Sequence, residues 1–465
     1  MRYTSFAEDF EESDFSAGTV AFGQKVSCSV SRYGDLVSDL MLEVTLPPLG
    51  AATGLKTDAN VSIDADLTAA YWVNAIGFAV IEEIGIEIGG TDVDTLYAEW
   101  MFMWEELTQR PGARLGEQIG KFDWSETVED DMIEFAKKER RLFVPLNFWF
   151  NKYFMEKGLC IPLIALSFHD IKVKVTFRAL SECCQTVYKV TDVTYGDYYA
   201  AHTSTPNNTS TGATLAAADL NARLLVNYVY LDGDERNAFA SVEHEYIITT
   251  TQRQTQSITS AGSASDQIKL YFNHPSNALF WYIRPNDWQT NRRRFSVGHR
   301  DRFDFSLTSA DTDYKWGDVT DATKGAALTL NGHDRFPSGL PGMFFRTVEP
   351  QMKWPNIPKG YYYMYTFAMQ GGQWNPTSTL NFSRIDHVSL NLTYGASIPV
   401  SEVVIFAENY NLLVIKVSIW LITVVIDIVL RYLSKLHRIL TICSLYFSLS
   451  LVATGWYGST FFENL

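Results

Sequence analysis

Hydrophobic and polar positions alternate at period two over many short runs of this chain, and helical spacing shows clearly in only one. From Thr19 to Val30 the sequence reads TVAFGQKVSCSV, β-branched and roughly alternating. Ser31-Arg32-Tyr33-Gly34-Asp35 supplies turn residues, and Leu36 to Leu46 predicts a second strand, stopped by Pro47-Pro48. Residues 50–70 are small and polar and read as a loop. Tyr71 to Ile88 is apolar and ends in the alternating run IEEIGIEI, after which Gly89-Gly90-Thr91-Asp92 predicts a hairpin turn.

The period then changes. Tyr97, Trp100, Met101 and Trp104 within YAEWMFMWEEL lie at helical spacing, and Arg110-Pro111-Gly112 ends the predicted helix. Residues 112–140 are charged and irregular, which predicts an exposed insertion. Strands return in RLFVPLNFWF at 141–150 and IPLIALSFHDIKVKVTF at 161–177. In the latter, Ile171, Val173, Val175 and Phe177 alternate with Lys172, Lys174 and Thr176, one face buried and one wet; a slip at Asp170-Ile171 predicts a bulge.

Residues 181–221, rich in Thr, Ala, Asn and Ser, read as a linker or long surface loop. A second strand-rich block follows, with LLVNYVYL, VEHEYIITTTQRQ, IKLYFN, ALFWYIRP, GYYYMYTFAMQ, TLNFSRIDHVSLNLTY and VVIFAENYNLL separated by Gly-, Pro- and Asp-rich loops. The expected division is 1–180, then the linker, then 222–411, then a tail at 412–465. Each block holds too many strands for one flat sheet, so each predicts two packed antiparallel sheets, an all-β sandwich. Periodicity leaves jelly-roll, immunoglobulin-like and other sandwiches open.

At 465 residues the chain is long enough for such a pair. Its 46% hydrophobic and 14% aromatic content supplies apolar surface to offset chain entropy, which excludes disorder over most of its length. The net charge of −15 speaks against nucleic-acid binding, and the densest basic run, Arg292-Arg293-Arg294, reads as a solvated loop. The five cysteines follow no disulfide or zinc spacing, with Cys28, Cys160 and Cys443 isolated and Cys183-Cys184 adjacent, as in a reducing compartment. The acidic N-terminus is not a signal peptide.

Candidate chemistry is sparse. No HExxH, Gly-Lys phosphate loop, GxSxG elbow or dinucleotide fingerprint occurs. His244 stands between Glu243 and Glu245, but strand neighbours point to opposite faces and cannot converge. Asp232-Gly233-Asp234-Glu235 lacks the later oxygens of a calcium loop and reads as a turn or helix cap. Glu105-Glu106 and Glu129-Asp130-Asp131 diverge and read as solvated faces. Sequons stand at Asn60, Asn207, Asn208, Asn381 and Asn391. The aromatic runs Phe148-Trp149-Phe150, Phe280-Trp281-Tyr282 and Tyr361-Tyr362-Tyr363 read as core, with alternate rings at a subunit interface. No catalytic, cofactor-binding or metal residue is expected.

Several segments, in order, resemble the major capsid proteins of nucleocytoplasmic large DNA viruses, the iridovirus, phycodnavirus and mimivirus group. They are FGQKVSCSVSRYGDLVSDLMLEVTLPPL at 22–49, IGFAVIEEIGIEIGGTDVDTLYAEWMFMWEEL at 76–107, and LFVPLNFWFNKY with LCIPLIALSFHDIKVKVTFR within 142–178. DGDERNAFASVEHEY at 232–246, NFSRIDHVSLNL at 381–392 and IFAENYNLL at 405–413 complete the set. The resemblance implies two consecutive eight-stranded jelly rolls with short helices in the loops. It further implies a homotrimer forming a pseudo-hexagonal capsomer of an icosahedral virion shell assembled in the host cytoplasm. Neighbouring capsomers and minor capsid proteins would be its partners, with no cofactor, no enzymatic role and no direct nucleic-acid contact.

Two departures from the family set further expectations. The family's Arg-Tyr/His-Thr-x-Phe-Ala segment stands here at Arg2 to Ala7, so the first jelly roll is expected to lack its first strand or to carry an unpaired edge. The tail holds apolar runs at Val417 to Leu430 and Ile439 to Trp456 around a basic Arg431 to Arg438. One reading is a hairpin in the inner viral membrane; the favoured one is translation through an intron or past a frameshift. A membrane-anchored minor capsid-like paralogue, or a carbohydrate-binding sandwich, are the alternative functions.

Overall fold

The computed structural model describes residues 5–50, 68–109, 115–123, 128–153, 159–166, 169–192, 196–202, 206–211, 213–259, 265–286, 302–303, 305–306, 321–336, 340–394, 398–415 and 424–426. Eight strands build a first sandwich: β1 Phe6–Ser13, β2 Lys25–Ser29, β3 Leu36–Leu46, β4 Ile81–Ile88, β5 Thr91–Tyr97, β6 Arg140–Pro145, β7 Ile171–Phe177 and β8 Asn221–Leu231. Eight more build a second: β9 His244–Ile258, β10 Ser265–Lys269, β11 Pro275–Pro285, β12 Thr323–Leu330, β13 His333–Asp334, β14 Tyr363–Thr366, β15 Val388–Tyr394 and β16 Ser401–Ile415.

The two share one topology. In the first, one sheet runs β1-β8-β3-β6 and the other β2-β7-β4-β5; in the second the sheets run β9-β16-β11-β14 and β10-β15-β12-β13. Adding eight to each label of the first gives the second. This interleaving, with each sheet pairing strands distant in sequence, is the jelly roll.

Local chemistry fixes the pieces. The β4–β5 hairpin turns at Gly89 and Gly90, both left-handed with φ 58° and 82°, which a primed two-residue turn requires. In β7, Ile171, Val173, Val175 and Phe177 are buried while Lys172 is exposed, so the predicted face is the observed one. The apparent slip at Asp170 is only the strand's start; the register shift lies at Thr176/Phe177.

The structure corrects several expectations. Among the described residues Phe6–Ser13 is the first strand, paired with β8 at all eight positions and lying at the edge of its sheet. Asn221–Leu231, expected to open the second block at 222, instead pairs between β1 and β3 in the first. The 181–221 segment, expected as a loop, carries strands Cys184–Asp192 and Gly196–His202, which pair with each other and extend to Thr68–Trp72. Within the predicted insertion at 112–140, helices Leu115–Ile119 and Val128–Ala136 stand, and Ile119, Met132, Ile133 and Ala136 are buried. At the end of the second block, β16 continues past 411 to Ile415, where Val424–Ile426 pairs with it. The basic triplet, Cys443 and the remainder of the tail lie outside the described residues.

A single apolar cluster fills the first sandwich and continues into the second, taking in Phe280, Tyr282, Val404 and Phe406. The second has its own core around Leu279, Trp281, Ile283, Val403 and Ile405. The inner strands β16 and β11 of the β9-β16-β11-β14 sheet are therefore buried on both faces, one toward the partner sheet and one toward the first sandwich.

Candidate functional site: the seam between the sandwiches

That second buried face makes a seam, and helix α1, Ala98–Thr108, is its wedge. It follows β5 directly, and eight of its eleven residues are buried. A helix apolar on nearly all sides belongs between layers, not on a surface. Its Trp100 meets Phe280 edge-on at 4.9 Å and Phe406 at 5.9 Å. Trp104 meets Trp354 edge-on at 5.7 Å, and Phe102 stacks on Phe303 at 4.5 Å. Tyr282 stacks on Phe305 at 4.0 Å. Offset and edge-to-face pairs of this kind add about 0.5–1.5 kcal/mol each beyond their area.

The aromatic runs thus divide by strand alternation. Phe280 and Tyr282 face the seam while Trp281 packs on Tyr363 and Phe345 in the second core. Tyr362 reaches back to the first sandwich, its hydroxyl donating to Glu106 at 3.0 Å. The alternate rings expected at a subunit interface lie at an interface within one subunit.

Glu99, on the first turn of α1, is buried and engages three arginines. Arg178 Nη2, at the end of the first sandwich, lies 3.4 Å from Oε1; Arg284 Nη1 of β11 lies at 3.1 Å and Arg302 Nη2 at 2.9 Å. Burial alone would raise the carboxyl, but Arg178, Arg302 and Arg284 outweigh it and hold Glu99 ionised far below the usual carboxylate range. Half-exposed Glu182 takes Arg302 at 2.6 Å and Arg178 at 3.3 Å, and Glu402 takes Arg284 at 2.9 Å. These groups line an open cavity of about 340 Å³ at the mouth of the seam.

Further ties cross the same surface. Lys152 of the first sandwich forms a buried ion pair with Glu408 of β16, its Nζ 3.7 Å above the Trp104 ring. Asn356 Nδ2 donates to Leu107 O at 3.3 Å, and Lys359 meets Asp123 at 2.6 Å. On the outer face of the first sandwich a charge ladder runs Glu12–Arg223–Glu43–Arg141 across β1, β8, β3 and β6.

The candidate residues of the sequence fall apart in space. His244 Nε2 bonds Phe239 O at 2.8 Å and its ring stacks between Phe239 and Tyr246, while Glu243 and Glu245 are exposed. Asp232 caps helix α2, Gly233–Ser241, as expected. Glu105 and Glu106 are not solvated. Burial raises the Glu105 carboxyl, which accepts from Asn147 at 3.1 Å, and Glu106 pairs with Lys121 at 2.8 Å. Asn208 is buried and donates to Asp219, and Asn391 donates to Thr329. Cys28, Cys160, Cys183 and Cys184 are buried free thiols. Among the described residues, no group of three or more His, Cys, Asp or Glu side chains is placed to hold a metal, and no helix is long and apolar enough to cross a membrane.

Sequence pattern missed the seam because its carriers are scattered: Glu99, Arg178, Arg284 and Arg302 form no motif. One signal was available. ALFWYIRP and VVIFAENY are continuous apolar runs, and a strand buried on both faces reads that way.

Residues 1–232 match the family model described as major capsid protein N-terminus, and residues 235–419 match that described as large eukaryotic DNA virus major capsid protein. The chain is 31% identical over 437 residues to the major capsid protein of Pyramimonas orientalis virus, covering 89% of each. It is 28% identical over 403 residues to that of Paramecium bursaria Chlorella virus 1, covering 84% of this chain and 80% of the relative. Among solved structures, PBCV-1 VP54 superposes with TM-score 0.66 at 24% identity, covering 91% of this chain and 97% of that one. The Faustovirus major capsid protein superposes with TM-score 0.63 at 12% identity, covering 90% and 92%.

Proposed function

This chain belongs to the major capsid protein family of large eukaryotic DNA viruses, and from that membership we propose that it acts as a homotrimer in which three copies of the double jelly roll form one pseudo-hexagonal capsomer. It is a structural component of the virion's capsid shell. The observation that carries the trimer is the repeated topology of the two sandwiches across a buried seam. Two like columns per chain, fixed to each other, give six like columns around a threefold axis, and a six-sided tile fills a flat facet.

Three consequences belong to the same proposal. The chain divides after Leu231, where the eighth strand of the first sandwich ends. Partners are neighbouring capsomers and minor capsid proteins, met through surface shape and strand edges; a net charge of −15 disfavours direct contact with the genome. The buried polar groups are structural: their carboxylates are consumed by arginine, lysine and amide partners within the seam, which favours a non-enzymatic role.

Analytical ultracentrifugation of the purified protein at about micromolar concentration tests the trimer. A single species of three times 52.6 kDa is expected, with pairwise interfaces on the order of 2,000 Å² that survive dilution. A predominance of 52.6 kDa monomer would remove the proposal.

A further inference from the structure

The seam holds a second buried charge set, and its charges do not balance. Asp94 on β5 is buried, and its Oδ1 accepts from Thr95 N at 2.9 Å and from Thr251 N of β9, in the other sandwich, at 3.0 Å. Glu408 on β16 is fully buried, paired with Lys152 and accepting from Asn277 Nδ2 at 3.0 Å. Beneath the rings of Trp100 and Trp104, Lys152 is paired with Glu408 and reaches Asp94 only as a through-space charge.

Among the described residues, the other charges nearby are already engaged or point away. Arg253, on the strand of Thr251, is exposed and lies over the Tyr97 ring at 4.9 Å. On α1, Glu99 is held by its three arginines and Glu105 by Asn147. On β4, Glu83 pairs with Lys25, and Glu87 pairs with Lys172 and Lys174 of β7; Asp92 of β5 also pairs with Lys174. On β16, Glu402 belongs to Arg284. The nearby hydroxyls of Tyr153 and Tyr410 are kept protonated by burial.

An uncompensated carboxylate in so dry a site is costly, and a proton is the simplest neutraliser. Its location follows from the partners. Glu408 has the direct ion pair and an amide, whereas Asp94 has two backbone N–H groups. We propose that Asp94 is a proton-held latch between the sandwiches, closed while its carboxyl retains a proton and loosened when rising pH removes it. Burial pushes the Asp94 carboxyl up from 3.8 to about 7; the Thr251 N–H and Lys152 oppose the rise and Glu408 adds to it. Over that window the folded chain holds a proton that the unfolded chain has released. The latch is therefore at full strength below the unfolded value and is lost as pH rises through the folded one, with local opening growing by up to about tenfold per pH unit.

Amide hydrogen exchange of the full-length protein, corrected for intrinsic pH dependence, reads this at the Thr251 N–H. Between about pH 5.5 and 7, protection in the native protein should fall by up to about tenfold per unit and then level off. Asp94→Asn mimics the protonated carboxyl and keeps its acceptor oxygen, so protection should stay flat across the range. Glu408→Gln restores charge balance by another route, leaving Lys152 for Asp94, and should also flatten the profile. Should either variant fail to fold, the other decides. A flat profile in the native protein, or an unchanged slope in the variant that folds, would overturn the latch.

Discussion

Replacing Glu99 by Gln isolates what the arginine cluster contributes to the seam. Three guanidinium groups lie within 3.4 Å of one buried carboxylate, two of them from the second sandwich. At an effective dielectric of about 20, each pair of unit charges about 4 Å apart is worth about 4 kcal/mol, or about 12 for the three. Most of that offsets the cost of removing the carboxylate from water. The variant instead keeps three buried cations with only the rim carboxylates Glu182 and Glu402 to answer them, and breaking such a set costs about 3–5 kcal/mol. Because Glu99 is held below the ordinary carboxylate range, this contribution is fully present above the unfolded value and is lost progressively as pH falls from there through the folded one. The assay is urea unfolding followed by tryptophan fluorescence at neutral pH, with Trp100, Trp104 and Trp354 reporting on the seam. Glu182→Gln, at a half-exposed position, should cost no more than about 1 kcal/mol and serves as the control. A loss under about 1 kcal/mol for Glu99→Gln, or equal losses for the two, would refute the reasoning.

Trp104→Ala empties a position in contact with Trp354, Tyr153 and Lys152, and should cost about 3–5 kcal/mol in the same unfolding assay. Lys152→Met removes the cation paired with Glu408, whose charge also reaches Asp94; it should lower the thermal midpoint more at pH 8 than in mild acid, where a proton can replace the lost charge, as calorimetry would show. Arg141→Ala removes a half-exposed rung of the outer charge ladder while Arg223 still answers Glu43, so it should cost less than about 1 kcal/mol. Deleting residues 1–13 strips β1 from β8 and bares an edge; soluble yield by size-exclusion chromatography should drop, and an unchanged yield would show that β1 does not protect that edge.

What the sequence disclosed follows what each strand buries. β7 and the β4–β5 hairpin were legible because one face is wet, which prints alternation, and because a diglycine turn has its own chemistry. β1 was not. FAEDFEES buries little beyond Ser13, so nothing apolar marks it, and its place is set by hydrogen bonds to β8. β8 was recognised as a strand but assigned forward, since pattern cannot tell which sheet an alternating run joins; that depends on pairing with β3, some 180 residues earlier in the chain. β12, Thr323–Leu330, is made largely of small residues and carried no signal. The seam was the least legible part. Its strands β11 and β16 are apolar on both faces, which identifies double burial but not the neighbour, and the partners of Glu99 come from positions 178, 284 and 302 with no spacing to read. Glu105 and Glu106 looked solvated because adjacent carboxylates usually are; here Asn147 holds Glu105, while Lys121 and Tyr362 of the second block hold Glu106.

Cryo-electron microscopy of the assembled shell tests the central claim most directly. Each capsomer should resolve into six similar jelly-roll columns built from three chains, with Trp100 against Phe280 and Glu99 against Arg284 joining the two columns of every chain. Six chains contributing one column each, or two sandwiches of one chain parted across neighbouring capsomers, would contradict it.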